Sequence, residues 1–166
     1  MWTFTHPDPW TTVGHFKSSG RFRWAGKVRI RVIRPGMEDE VWESENQITD
    51  DGVDLLVAAL RGEDAEINYI AWGDDDTAPA ASDTALGNET GRKLITSQAA
   101  GDPGETVTVA YLAPQDANGQ IEEVGWYAQA TATPGSGVLL ARILYSHEKT
   151  DGESIQVDRT DTLGAV

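Results

Sequence analysis

One stretch, Asn46 to Glu89, carries a helical period in a chain otherwise punctuated by turns, and it constrains the fold more than any other feature. It reads as the end of a strand, a single amphipathic helix, a second strand from Ile67 to Trp72 and a long acidic loop. Thr49 or Asp50 stands at the N-cap, and Asp51 and Asp54 follow in the first turn, where the helix dipole favours negative charge. Arg61 occupies the last turn and Gly62 ends it, which places the helix at about residues 50–61. Val53, Leu56, Val57 and Leu60 recur at three- and four-residue spacing and are expected to dock on a sheet. A helix this short is marginal alone, so Leu56→Asp is expected to unfold the domain.

The flanking sequence alternates with a period of two. In Lys27 to Arg34, KVRIRVIR, residues Val28, Ile30 and Val32 share one face, with Arg29 and Arg31 on the other. Pro35-Gly36 turns the chain, and Glu38 to Glu45 returns through Val41 and Trp42, setting glutamates opposite the arginines. Downstream, Arg92 to Ala99, Thr106 to Ala113, Ile121 to Ala130, Val138 to Tyr145 and Ser154 to Asp158 read as strands separated by Gly/Pro/Asp turns. In the second of these, Val107, Val109 and Tyr111 alternate. The fold class is therefore mainly β, an antiparallel β-sandwich with one docked amphipathic α-helix, and 166 residues fit one such body. That body spans 27–166; residues 1–26 read as an extended basic, aromatic N-terminal arm.

The arm holds Trp2, Phe4, Trp10 and Phe16, with Pro7, Pro9 and Gly14 breaking any period. Aromatic side chains bury large areas when they find a surface. The arm is expected to lie on another subunit or on its own body, with Trp2, Phe4, Trp10, Phe16, Arg21 and Arg23 as the partner-binding residues. Charge divides the same way: residues 1–34 carry +6, and the remainder −20, within a net charge of −14. The basic end suits an acidic protein partner, including another copy of this chain, and the acidic body would repel nucleic acid. Such a surface fits either a high-salt source or an ordinary acidic protein.

Several chemistries have no residues to carry them. The chain has no cysteine, so disulfides, thiolate metal sites and cysteine nucleophiles are excluded. The longest apolar run, Leu55 to Leu60, is too short to span a membrane, and the N-terminus lacks the pattern of a secretory signal. Gly135-Ser136-Gly137 lacks nucleophile-elbow spacing, there is no phosphate-binding glycine loop, and His147 beside Glu148 is a lone pair near a turn. The expectation is a protein without enzymatic activity or cofactor. Asp74, Asp75 and Asp76, with Asp83 nearby, offer oxygen ligands for a hard cation but lack the register of an EF-hand; a solvated acidic loop is the plainer reading. Trp126 and Tyr127 adjoin, so on a strand they face opposite ways and cannot form one sugar-stacking platform; one is expected in the core.

Taken in order, a set of motifs resembles a group of tailed-virus virion proteins labelled tail-fibre or tail proteins, found in phages and in tailed archaeal viruses, haloarchaeal viruses included. The motifs are the strand pair Lys27 to Asn46, Asn46-Gln47-Ile48-Thr49-Asp50-Asp51-Gly52, Ile67 to Gly73, Thr77 to Glu89, Arg92, Glu122-Glu123-Val124-Gly125 and Leu139-Leu140-Ala141-Arg142. The match covers roughly 27–158; Asp74-Asp75-Asp76 departs from it, where such proteins have a small neutral turn, and the arm lies outside it. The resemblance implies a virion structural subunit in tail fibre, baseplate or capsid decoration, with other virion proteins and copies of itself as partners and the host cell surface as a further one. The alternative is a receptor- or carbohydrate-binding module of the virion.

Overall fold

The alternation of KVRIRVIR sets the first layer. The computed structural model describes residues 22–165, in which Val28, Ile30 and Val32 are buried while Lys27 and Arg29 are exposed. Strand β1 (Phe22–Ile33) carries them, and β2 (Glu40–Glu45) returns beside it with Arg29 opposite Glu43 and Ile30 opposite Trp42. Lys27 and Arg29 both reach Glu43, at 3.4 and 3.7 Å, in half-exposed pairs worth at most about 1 kcal/mol each. β1 begins at Phe22 rather than Lys27, because β10 (Ser154–Ala165) runs the full length beside it, from Ile33 opposite Ser154 to Phe22 opposite Ala165. Trp24 thereby joins the packed body, and its indole N–H donates to Asp161 Oδ1 at 2.8 Å.

The remaining elements are β3 (Gln47–Ile48), α1 (Asp50–Ala59), β4 (Ile67–Gly73), β5 (Glu89–Leu94), β6 (Ser97–Ala100), β7 (Glu105–Leu112), β8 (Gly119–Ala128) and β9 (Val138–Lys149). They make two antiparallel five-stranded sheets, β2-β1-β10-β7-β6 and β3-β9-β8-β4-β5. Val28, Ile30, Ile155 and Val157 from the first meet Ile70, Val124, Trp126 and Ile143 from the second in one core. The expected Arg92 to Ala99 strand is two strands in different sheets. The chain crosses between them at Ile95, whose N–H still bonds Asn68 O, while Thr96 N–H already bonds Val109 O; Ile95 packs on the core at the crossing.

One strand's inner face is not fixed by its alternation, and one expected face, that of α1, is reversed. On β7 the buried residues are Thr108, Ala110 and Leu112, and Tyr111 is exposed. The inner row at Thr108 faces a buried arginine, Arg159, directly opposite, where a small polar residue fits, and Leu112 faces Ile155 further along the same row. On α1 the buried residues are Gly52, Leu55 and Ala58, whereas Val53 and Val57 are 45% and 48% exposed and Leu60 85%. Leu56 is only half-buried, so Leu55, not Leu56, is the residue whose replacement by Asp would unfold the domain.

The orientation of α1 is set by its cap. Thr49 is the N-cap: its hydroxyl accepts from Gly52 N–H at 3.0 Å and donates to Leu139 O, and its own N–H donates to Leu140 O at 3.0 Å. These bonds fasten the first turn to β9. A Cβ on Gly52 would sit 2.6 Å from Leu140 O, so glycine is what lets the helix approach the strand this closely. Among the described residues no helix is long and apolar enough to cross a membrane.

Candidate functional site

Sheet β3-β9-β8-β4-β5 is covered on its outer face as well as its inner one. β8 shows the consequence, since every residue from Glu123 to Ala128 is buried. Trp126 packs in the main core, while Tyr127 belongs to a second cluster with Ala71, Leu86 and Leu139 on the other face. Both aromatics are therefore interior, where one was expected, and neither is free to stack on a sugar. The cover is the acidic loop 74–88, whose Leu86 N–H donates to Tyr127 Oη at 3.0 Å. A Cβ on Gly125 would lie 2.8 Å from Leu86 and 2.9 Å from Leu139, so glycine in β8 admits the loop's one buried leucine.

Two arginines hold loops on this face of the sheet, Arg142 the cover itself and Arg92 the turn at 131–136. Arg142, from β9, donates through Nε to Glu123 Oε2 at 2.7 Å, through Nη1 to Asp83 Oδ2 at 2.9 Å and through Nη2 to Thr77 O at 2.9 Å. Asp75 Oδ1 lies 3.4 Å from the same Nη2. Glu123, wholly buried, also accepts Gly87 N–H at 3.0 Å and Asn88 N–H at 2.8 Å. Burial disfavours the Arg142 charge, but Asp83 and Glu123 outweigh that and raise its pKa above the ordinary value. Hydrogen bonds from the Thr77 hydroxyl and backbone, with a smaller contribution from Arg142, hold Asp75 below the usual carboxylate range.

Arg92, from β5, forms the second latch. Its Nη2 donates to Glu89 Oε2 at 2.7 Å, and its Nη1 donates to Thr131 O, Ser136 O and Ser136 Oγ. The guanidinium lies 4.8 Å from the Tyr127 ring centre and 5.9 Å from that of Tyr69, a cation–π arrangement. Ser136 is thus a clasp for the 131–136 turn. In both latches Glu89 and Glu123 face guanidinium and backbone N–H groups, and the arginines face carboxylates, carbonyls and, for Arg92, the Ser136 hydroxyl and two tyrosine rings. The arrangement holds loops on a sheet.

Asp74, Asp75 and Asp76 do not converge. Asp74 accepts from Asn88 at 2.6 Å, Asp75 faces Thr77 and Arg142, and Asp76 is exposed. Among the described residues no group of three or more His, Asp or Glu is placed to hold a metal ion. His147 pairs with Glu153, not with its exposed neighbour Glu148: Nε2 and Oε1 are 2.7 Å apart, and Glu153 Oε2 accepts Arg34 Nε at 2.7 Å. The His147 ring stacks on Tyr145, which tilts against Trp42, so this group ties the β1–β2 turn to β9 and β10.

Of the expected partner-binding residues, Arg23 is exposed on β1 opposite Gly164, and Trp2, Phe4, Trp10, Phe16 and Arg21 lie outside the described residues. The latch residues Glu123 and Arg142 were not singled out as a site. Their signal is an ionised side chain inside an apolar run, EEVGW and LLARIL, which in a buried strand requires a partner of opposite charge. No family model, curated protein or solved structure matches the chain.

Proposed function

We propose that the chain is a non-enzymatic structural subunit of a tailed-virus particle, in tail fibre, baseplate or capsid decoration, joined to other virion proteins and to copies of itself through its N-terminal arm. One observation carries this reading: motifs that carry the resemblance, scattered from Thr77 to Arg142, meet in the two arginine latches over β8. Charged residues of that pattern that fasten loops to a sheet suit a rigid structural subunit, and these side chains are engaged with one another. The arm then supplies contact area that the rigid body lacks, with Trp2, Phe4, Trp10 and Phe16 as anchors.

The test combines particles and solution. Antibody raised against this chain should label tailed particles from the source in immunogold electron microscopy; labelling confined to particle-free material would overturn the virion reading. In sedimentation equilibrium the full chain should self-associate, and Trp2→Ala with Trp10→Ala should reduce it to monomer with an unchanged circular dichroism spectrum. Persistent association of that double variant would remove the arm from the assembly role.

A further inference from the structure

We infer that an apolar groove at one end of the sandwich receives the N-terminal aromatic segment, residues 1–21, of a second copy of this chain. The inference rests on the self-association proposed above and names the surface that would receive the arm. The groove has a volume of about 390 Å³ and lies between α1 and the β1–β10 end, walled by Trp24, Leu55, Leu56, Ile67, Leu140 and Leu163. Its size is that of pockets that accept small apolar groups, including an aromatic side chain.

Beside it lies a surface that the body leaves uncovered. Leu56 faces the groove, and Val53, Val57 and Leu60 continue outward along the same helix, each at least 45% exposed. The strongest helical period in the chain is thus spent on a face directed to solvent. An exposed apolar patch next to a pocket marks an interaction surface.

The chain's own composition identifies the occupant. Residues 1–21 hold four aromatics, Trp2, Phe4, Trp10 and Phe16, and Lys17 and Arg21 against the single acid Asp8. The charge at the groove is of opposite sign: Glu105 and Asp161 line it with no lysine or arginine among the lining residues, and the exposed Asp64 and Glu66 flank Ala65, which also lines it. Charge of this kind steers encounter and fixes orientation. The segment joins the body at Phe22, two residues before Trp24 in the groove wall. Two copies meeting groove side to groove side would therefore each deliver a segment to the other, a reciprocal arrangement of two-fold symmetry. A second copy also covers the exposed Val53, Val57 and Leu60, which a segment seated in the groove alone would leave in water.

The absence of cysteine makes the test clean. Full-length Thr11→Cys and full-length Ala65→Cys, the latter at the groove, are mixed under mild oxidation, with one population carrying a mass tag; a double-cysteine chain is oxidised in parallel. Sedimentation of Val57→Asp/Leu60→Asp, which alters exposed positions and so leaves the fold intact, is measured beside it. The inference expects a mixed disulfide dimer between the two populations and at least a tenfold weaker self-association of the aspartate variant. A disulfide formed only within the double-cysteine chain overturns it, because the segment then sits in its own groove. Self-association without a mixed disulfide, unaffected by the aspartates, overturns the groove and leaves the arm-mediated assembly standing. A monomeric full chain removes both.

Discussion

Glu123→Gln tests the first latch at its centre. Glu123 is fully buried and accepts three donors, Arg142 Nε, Gly87 N–H and Asn88 N–H, at 2.7–3.0 Å. Glutamine preserves volume but places an amide N–H₂ where one acceptor oxygen stood, so a donor meets a donor. It also withdraws the charge nearest Arg142, whose side chain is only 3% exposed, leaving Asp83 and the longer Asp75 contact to offset it. Removing one member of a buried pair strands the other, and the loss is expected at about 3 kcal/mol. For a domain of this size that lowers the melting temperature by about 6–12 °C, measurable by circular dichroism and by urea unfolding. Hydrogen exchange should locate the damage, with Gly87 and Asn88 amides losing protection while β1 amides keep theirs. A loss below about 1 kcal/mol with both amides still protected would refute the latch, since a charge so placed cannot then be what holds the loop.

Four further outcomes follow from the same geometry. Leu55→Ala should cost about 2–4 kcal/mol in urea unfolding and Leu56→Ala about 1 kcal/mol or less; the reverse order would restore the face expected from periodicity. Tyr145, pushed up to about 12 by burial and by Glu40 and Glu153, contributes stability that is complete below the ordinary tyrosine value and lost as pH rises from about 10 to about 12. Absorbance titration should show a late-ionising phenol that is absent from Tyr145→Phe. Burial alone would raise the Glu153 pKa, but hydrogen bonding to His147 and Arg34 outweighs it, so its stabilisation is present above the ordinary carboxylate value and is lost as pH falls through the depressed one; Glu153→Gln should show a shallower acid limb in melting temperature. Added salt should raise the urea midpoint of the full chain, and a midpoint that falls instead would show that exposed ion pairs dominate its electrostatics.

Wherever local physics decides alone, the fold was readable from residues. The KVRIRVIR strand alternates and is flanked by a Pro-Gly turn, and its buried face is the predicted one; Thr49 caps α1 because only its hydroxyl stands where the orphan N–H of Gly52 points. The errors arise where a partner distant in sequence overrides the local pattern. Alternation alone left open which face of the Val107-Val109-Tyr111 strand is inner, and the inner row proves to be Thr108, Ala110 and Leu112, with Arg159 opposite Thr108. The helix stripe points outward because Thr49 and Gly52 fasten the opposite side to Leu139 and Leu140. Trp126 and Tyr127 are both interior because loop 74–88 roofs the second face of β8, a layer that period-two reasoning cannot foresee. The latches stayed hidden for the same reason: Glu123 and Arg142 are 19 residues apart, and Asp83 lies 59 from Arg142.

These buried charges also explain how so acidic a chain holds its shape. After Arg34 the body contains six basic side chains against 26 acidic ones. Four of those six are interior: Arg142 and Arg92 at 3% and 2% side-chain exposure, Arg159 at 0%, and Lys149 at 1%, the last held by Pro114 O, Asn118 Oδ1 and Thr150 O. The chain has withdrawn these scarce cations from the surface, where water would screen them; Arg142, Arg92 and Lys149 each bond backbone carbonyls of other segments, and Arg159 pairs with Asp161 and lies over the Trp126 ring. What remains outside is almost uniformly negative and self-repelling, a cost that falls as ionic strength rises, whereas the interior latches are shielded from salt by burial. The basic face of β1 is the exception, and it is already matched by Asp39 and Glu43 of the returning chain. A second copy approaching such a body meets repulsion over most of its surface, and the docking inferred above has to offset it with the apolar lining of the groove at α1 and the aromatic and basic side chains of residues 1–21 together.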